Sequence, residues 1–308
     1  MSAGCLQRQY DLASNGLLSF RVRDSLQKAI EMKTNPTRTY LISESIIDIF
    51  YTQLIGNPNG RATIKASSEF SNQSFALVDS NPYMEGGSLA WRSTNVFFRQ
   101  IRNLEFDTTA LPAGSHVIGI HWPSSQATSI SNCFFLLSTE PGNNHTGIFI
   151  EEGSGGLLND LYFNGGGKAA VFGNQQFTAR NLWFYNADVA INMPWDWGWT
   201  YKSIYINKCR VGIQMDNVTK SIGSMTILDS RFEDVDIGIE TTRTGPGIPG
   251  ANGTLVMENV RFVNVNHTLV GPDGIILDDS NAFYDPTDLF TMVHGHCILR
   301  LLPSANRL

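Results

Sequence analysis

A short pattern recurs through the middle of the chain: Asn or Asp, two variable residues, then Phe. It reads Asn103-Leu-Glu-Phe106, Asn132-Cys-Phe-Phe135, Asp160-Leu-Tyr-Phe163, Asn181-Leu-Trp-Phe184, Asp229-Ser-Arg-Phe232 and Asn259-Val-Arg-Phe262, with Asn207-Lys-Cys-Arg210 as a divergent copy in the gap. Downstream of most copies stands a second landmark, a small residue followed by an aliphatic one: Gly119-Ile120, Gly147-Ile148, Ala170-Val171, Ala190-Ile191, Gly212-Ile213 and Gly238-Ile239. The order of the two landmarks is constant, and the first returns roughly every 21 to 30 residues. One coil of a parallel β-helix, three short strands and their turns, needs that much chain.

The expected fold is therefore all-β, a right-handed parallel β-helix over residues 38–270. Stretches such as Met225-Thr-Ile-Leu alternate, so one face points inward and Phe, Ile and Leu stack coil on coil. Asn and Asp bond to turn backbone and tolerate left-handed conformations, which explains their recurrence without any chemistry. Leucine-rich repeats have a similar period, but they need several Leu at fixed short spacings, and here Phe dominates. Residues 24–32 carry apolar positions at helical spacing and are expected to form a short cap helix within an N-terminal segment, 1–37. After Leu269 the repeat fades, leaving 271–308 as a divergent tail. An uncapped solenoid end would expose strand edges, so self-association is expected.

With 42% hydrophobic and 16% charged residues, the chain reads as folded rather than disordered. A net charge of −6 and the lack of any basic run exclude nucleic acid as the natural partner, and a neutral ligand suits the surface better than an acidic one. Cys5, Cys133, Cys209 and Cys297 show no paired metal spacing, so no metal or other cofactor is expected. Cys133 and Cys209 fall on apolar repeat positions, as buried thiols or a cross-coil disulfide. Apolar stretches fall short of the roughly 20 residues of a membrane span, and the start lacks the apolar core of a signal peptide. Five N-x-S/T sequons, at Asn72, Asn144, Asn217, Asn252 and Asn266, instead suit a secreted protein, and the conflict suggests an incomplete N-terminus.

The most unusual local sequence is Met193-Pro-Trp-Asp-Trp-Gly-Trp-Thr-Tyr-Lys202. Its Trp195, Trp197 and Trp199 alternate, and on a regular strand they share one face. An exposed row would be a platform for sugar rings, and a buried row a large piece of core. Gln175 and Gln176 could orient a sugar hydroxyl or a water, or cap a turn. Glycoside hydrolysis needs positioned carboxyl groups. Among Glu151, Glu152, Asp160, Asp188, Asp196, Asp216, Glu233 and Glu240 no spacing singles out a pair, although Asp196 lies between tryptophans. Asp278-Asp279 and His294-Gly-His296 are read as loop residues.

The consecutive segments STNVFFRQIRNLEFDTTALP, GIFIEEGSGGLLNDLYFNGG, AAVFGNQQFTARNLWFYNA and AINMPWDWGWTYKSIYINKC resemble the N-terminal half of fungal exo-β-1,3-glucanases, the glycoside hydrolases of family 55. The resemblance covers residues 38–268. It implies a pectate-lyase-like fold, two tandem β-helices with a pocket between them, secretion, and inverting release of glucose from β-1,3-glucan such as laminarin. In that family the general acid belongs to the second β-helix, so Asp196, Glu151 and Glu152 are only local candidates here. The resemblance points to Gln175, Gln176, Trp195, Trp197, Thr200 and Tyr201 as substrate-binding residues. Two readings follow: a glucanase portion completed by its second half, or a module that binds β-glucan without cleaving it.

Overall fold

The computed structural model describes Tyr10–Leu12, Leu18–Phe20, Ile30–Glu31 and residues 38–49, 51–215, 221–241, 254–278, 283–284, 288–293 and 296–301. Apart from one short 3-10 turn, Ser93–Asn95, the regular structure of the described residues is β-strand, and successive coils pair in parallel, as a parallel β-helix requires. One ladder runs through Ala62–Ala66, Leu104–Asp107, Ser129–Leu136, Leu157–Asn164, Asn174–Tyr185, Trp195–Asn207, Ser224–Glu240 and Thr254–Gly271. Its register places Ile64, Phe106, Phe135, Phe163, Phe184, Ile206, Phe232 and Phe262 in one inward column. Neighbouring rings stack, with centroids 4.6 Å apart for Phe135–Phe163 and for Phe163–Phe184. Each is fully buried. Burial of such a ring stabilises the fold by about 1.5–3 kcal/mol, and the column is its spine.

A second parallel ladder, through Ala76–Asp79, Val117–His121, His145–Ile150, Lys168–Phe172, Val189–Met193 and Val211–Met215, lies across the core from that column. The small residue of the second landmark sits against the Phe rings: a Cβ on Gly147 would come within 2.8 Å of the Phe163 ring, and one on Gly212 within 2.8 Å of Phe232. Large rings on one wall thus demand small residues on the other. In the central coil this register pairs Ile148 with Ala170, so the true copy is Ala169-Ala170, one residue before the Ala170-Val171 read from the sequence.

The Asn and Asp of the first landmark have the left-handed backbone their chemistry predicts, φ 60° at Asn103, 50° at Asn132, 56° at Asp160 and Asn181, 49° at Asp229 and 54° at Asn259. Their side chains also link coils: Asn132 Nδ2 donates to Asn103 Oδ1 at 2.9 Å, Asn181 Nδ2 to Asp160 Oδ1 at 2.5 Å, and Asn259 Nδ2 to Asp229 Oδ1 at 2.7 Å. The divergent copy is corrected by the pairing of Arg180 with Lys202 and of Leu182 with Ile204. Ser203, with φ 56°, holds the corner, and Ile206 stands in the Phe column. Asn207 lies four residues further on and imitates the motif by composition alone.

Of the cap helix expected over 24–32, residues 24–29 and 32 lie outside the described residues, and Ile30–Glu31 form a strand parallel to Gln53–Ile55. At these two residues backbone pairing with the next coil holds the chain extended. At the other end, the last parallel rung, Thr254–Gly271, is not bare. Gly274–Leu277, Phe283–Tyr284 and Asp288–Val293 pair with it antiparallel, and His296–Leu301 pairs with Asp288–Val293. His296 therefore opens a strand instead of lying in a loop; His294 and Asp279 are outside the described residues. Cys133 and Cys209 are free, buried thiols pushed up to about 12 by desolvation, which removes the disulfide alternative for this pair.

Candidate functional site

Two concavities flank the corner between the ladders. The first is a trough of about 720 Å³ over the opening residues of the Phe-bearing strands. Coil register lines up Gln53, Gln100, Ser129, Leu157, Thr178 and Thr200 along its length. Gln126 and Gln176 add amides from the turns, and Phe98 a 56% exposed ring. Among the described residues, none lining the trough is ionisable. It offers hydrogen-bond donors and acceptors in a repeating row without charge, a surface matched to a neutral polyhydroxylated chain.

The strand Trp195–Asn207 passes between the two concavities, and here the expectation of three tryptophans on one face fails. Asp196 is buried, Trp197 is 67% exposed, Gly198 is half-buried and Trp199 is 1% exposed. Two consecutive outward residues mark a corner, which breaks strict alternation. The preceding coil turns at the paired positions, Gln175 and Gln176, between buried Asn174 and Phe177. Trp199 packs between Phe172 and Phe177 and donates Nε1–H to the Asn174 carbonyl at 3.2 Å. Trp195 donates Nε1–H to the Glu151 carbonyl at 2.6 Å and lines the second concavity. Of these three, Trp197 remains as the open indole. Tyr201 is fully buried, its phenol raised well above the ordinary range by desolvation and then by Asp196, so it cannot touch a surface ligand. Asp196 is 2% exposed and accepts from the Gly223 N–H at 2.5 Å, a turn-fixing role that keeps it from any substrate.

The second concavity, about 920 Å³, lies over the other ladder and has the opposite chemistry. His121 is fully buried beneath it. Its Nδ1 lies 2.8 Å from Asp79 Oδ1 and its Nε2 lies 2.8 Å from Glu151 Oε1. Tyr83 donates its hydroxyl to the other Glu151 oxygen. The imidazole is stacked between Tyr83 and Phe149, with Phe75 against its edge. Burial works against the imidazolium, but the hydrogen bonds and charges of Asp79 and Glu151 outweigh it and hold the His121 pKa above its ordinary value. Burial, then the bond to Glu151, pushes the Tyr83 phenol far up. The chain Asp79–His121–Glu151–Tyr83 thus carries charge from a buried anchor to a carboxylate that is 23% exposed at the cavity wall.

Of the sequence-predicted residues, Gln176 and Thr200 meet in the trough, Gln175 and Trp197 stand on the corner beside it, and Trp195 and Glu151 face the cavity. Glu152 instead accepts from Ser93 Oγ at 3.0 Å. The other carboxylates serve the scaffold: Asp160 in the side-chain ladder, Asp188 bound twice by Arg210, Glu233 by Tyr205 and Arg231, and Glu240 by Gln214. Asp216 is outside the described residues. Asp79, His121 and Tyr83 were not singled out by sequence. The register of successive coils pairs Asp79 with His121, and no local motif announces that pairing.

Comparison with known proteins agrees with this architecture. The family model described as rhamnogalacturonase A/epimerase, pectate lyase-like, matches residues 26–214. A probable glucan endo-1,3-beta-glucosidase of Arthroderma benhamiae is 40% identical over 243 residues, 78% of this chain and 27% of that protein. A glucan 1,3-beta-glucosidase of Cochliobolus carbonum is 39% identical over 247 residues, 79% of this chain and 31% of that protein. A non-secreted LysM effector of Penicillium expansum, LysM15, is 37% identical over 215 residues, 67% of this chain and 15% of that protein. The chain spans less than a third of the length of these relatives. The likeness to fungal β-1,3-glucanases read from the sequence is thus found across most of the chain, and the match to the family model, together with the parallel coils, shows that the chain belongs to the rhamnogalacturonase A/epimerase, pectate lyase-like family.

Proposed function

We propose that the chain binds β-1,3-glucan along the neutral trough, as the substrate-holding portion of a β-1,3-glucan hydrolase. The observation that carries this reading is the uncharged row of amides and hydroxyls, Gln53, Gln100, Gln126, Gln176, Thr178 and Thr200, with the exposed rings of Phe98 and Trp197. Rings of this kind cover the apolar faces of sugars while amides take the hydroxyls. Two similar proteins whose names state glucan 1,3-beta-glucosidase or endo-glucosidase activity support the choice of polymer.

The finer reading is exo-acting, inverting release of glucose. Inversion needs a carboxylic acid on one side of the sugar and a positioned water on the other. Gln126 and Gln176 are suited to hold that water, and since none of the described residues lining the trough carries a carboxyl, this reading takes the acid from elsewhere in the assembled enzyme. Titration of the 308-residue chain with laminaritriose, alongside glucose release from laminarin, tests both levels. Binding without release supports the trough as a holding surface. Release by this chain alone would overturn the assignment of the acid and direct attention to Glu151. Failure to bind would overturn the glucan reading itself.

A further inference from the structure

We propose that the cavity over His121 is a second saccharide site, distinct from the trough, that takes a neutral oligosaccharide and anchors it on the Glu151 carboxylate. Among the described residues, the two concavities share none of their lining. At about 920 Å³ the cavity is of the size that accepts a small ligand, about 300–1,000 Å³. Its walls combine the rings of Phe75, Tyr83 and Trp195 with the amides of Asn72, Asn144 and Asn192. Trp195 is fixed in place by its bond to the Glu151 carbonyl.

The polar anchor is what separates this cavity from an incidental hollow. An Asp–His pair buried to this degree is no better for stability than apolar residues of the same volume. Its outward end is a single group, Glu151, whose two oxygens are aimed by His121 Nε2 and the Tyr83 hydroxyl. A sugar hydroxyl can replace the phenol on Glu151 with no loss of hydrogen bonding, since both are O–H donors to the same carboxylate. Tyr83 is 39% exposed, on a turn tied by its bridge to Leu89, so its side chain has room to give way. Glu44, Asp79 and Glu151 line the cavity against Lys168, with exposed His116 on the wall, and this surplus of carboxylates disfavours a uronate.

The test is titration with laminaritriose and, separately, trigalacturonate, on the wild-type chain and on Gln176→Ala, Glu151→Gln and Tyr83→Phe. Wild type should show two laminaritriose sites. Gln176→Ala should weaken one, Glu151→Gln should weaken the other at least tenfold, Tyr83→Phe should tighten that second site, and trigalacturonate should bind it at least tenfold more weakly. A folded Glu151→Gln chain with both sites intact would overturn the proposal, as would a single site abolished by Gln176→Ala or equal affinity for trigalacturonate. Should Glu151→Gln fail to fold, Tyr83→Phe decides, and affinity unchanged or reduced would count against the site. Loss of the trough site alone would strike the glucan-holding reading and leave this one standing.

Discussion

The trough and the cavity sit on either side of one corner, yet they are made by opposite uses of the same coil. In the trough, equivalent positions of successive coils repeat one theme, interrupted once at Leu157, so Gln53, Gln100, Ser129, Thr178 and Thr200 form a row whose chemistry is additive and uncharged. In the cavity no theme repeats: the register column that begins with Asp79 and His121 continues through Phe149 and Val171 and then Asn192, Gln214 and Glu240, so its chemistry changes from coil to coil. A repeated surface suits a repeating polymer, and a changing column gives one local, charged anchor. Residues in the row should therefore matter for affinity, and those in the anchor for stability as well.

The sharpest break of this contrast is Asp79→Ala. It leaves the buried His121 ring without its inner partner and the Asn81 N–H without its acceptor, and with the ring charged it should cost about 3–5 kcal/mol in chemical denaturation. A loss below about 1 kcal/mol would mean the pair is not held in charged form. Gln176→Ala, at an exposed amide of the trough, should leave the denaturation midpoint within error and weaken laminaritriose about tenfold, or about 1.4 kcal/mol. An equal loss of stability would erase the distinction between the two regions.

The smallest expected effect is in pH. The folded pKa of His121 is raised, so its stabilisation is complete below the ordinary histidine value of about 6.5 and is lost as pH rises through the higher folded value. Asp79 and Glu151 are the carboxylates that face it, and Tyr83 stacks on it. The stability difference between wild type and His121→Gln should shrink over that window. Titration of the His121 ring signals by NMR at or below the ordinary pKa would contradict the assignment.

How much of this was legible in sequence follows from range. The Asn corners and Phe column announce themselves because the repeat spacing preserves residue identity from coil to coil. Ser203 escaped because a serine at a left-handed corner has no distinctive composition, while Asn207 supplied a false one four residues later. The tryptophans were misread because alternation holds only along a straight strand, and the corner at Trp197-Gly198 resets the phase. Tyr201 and Asp196 went inward with that reset. The Asp79–His121–Glu151 chain joins residues 42 and 30 positions apart, and only the register of coils brings them together.

The antiparallel strands laid over Thr254–Gly271 have a consequence for growth. A parallel solenoid is a template: each rung's open edge can seed another rung, from the same chain or from a second molecule. Thr254–Met257 is paired with the strand Asp288–Val293 in the reversed sense, and His296–Leu301 pairs with that strand in turn, so a rung from another molecule would have to displace this hairpin before it could pair with Thr254–Met257.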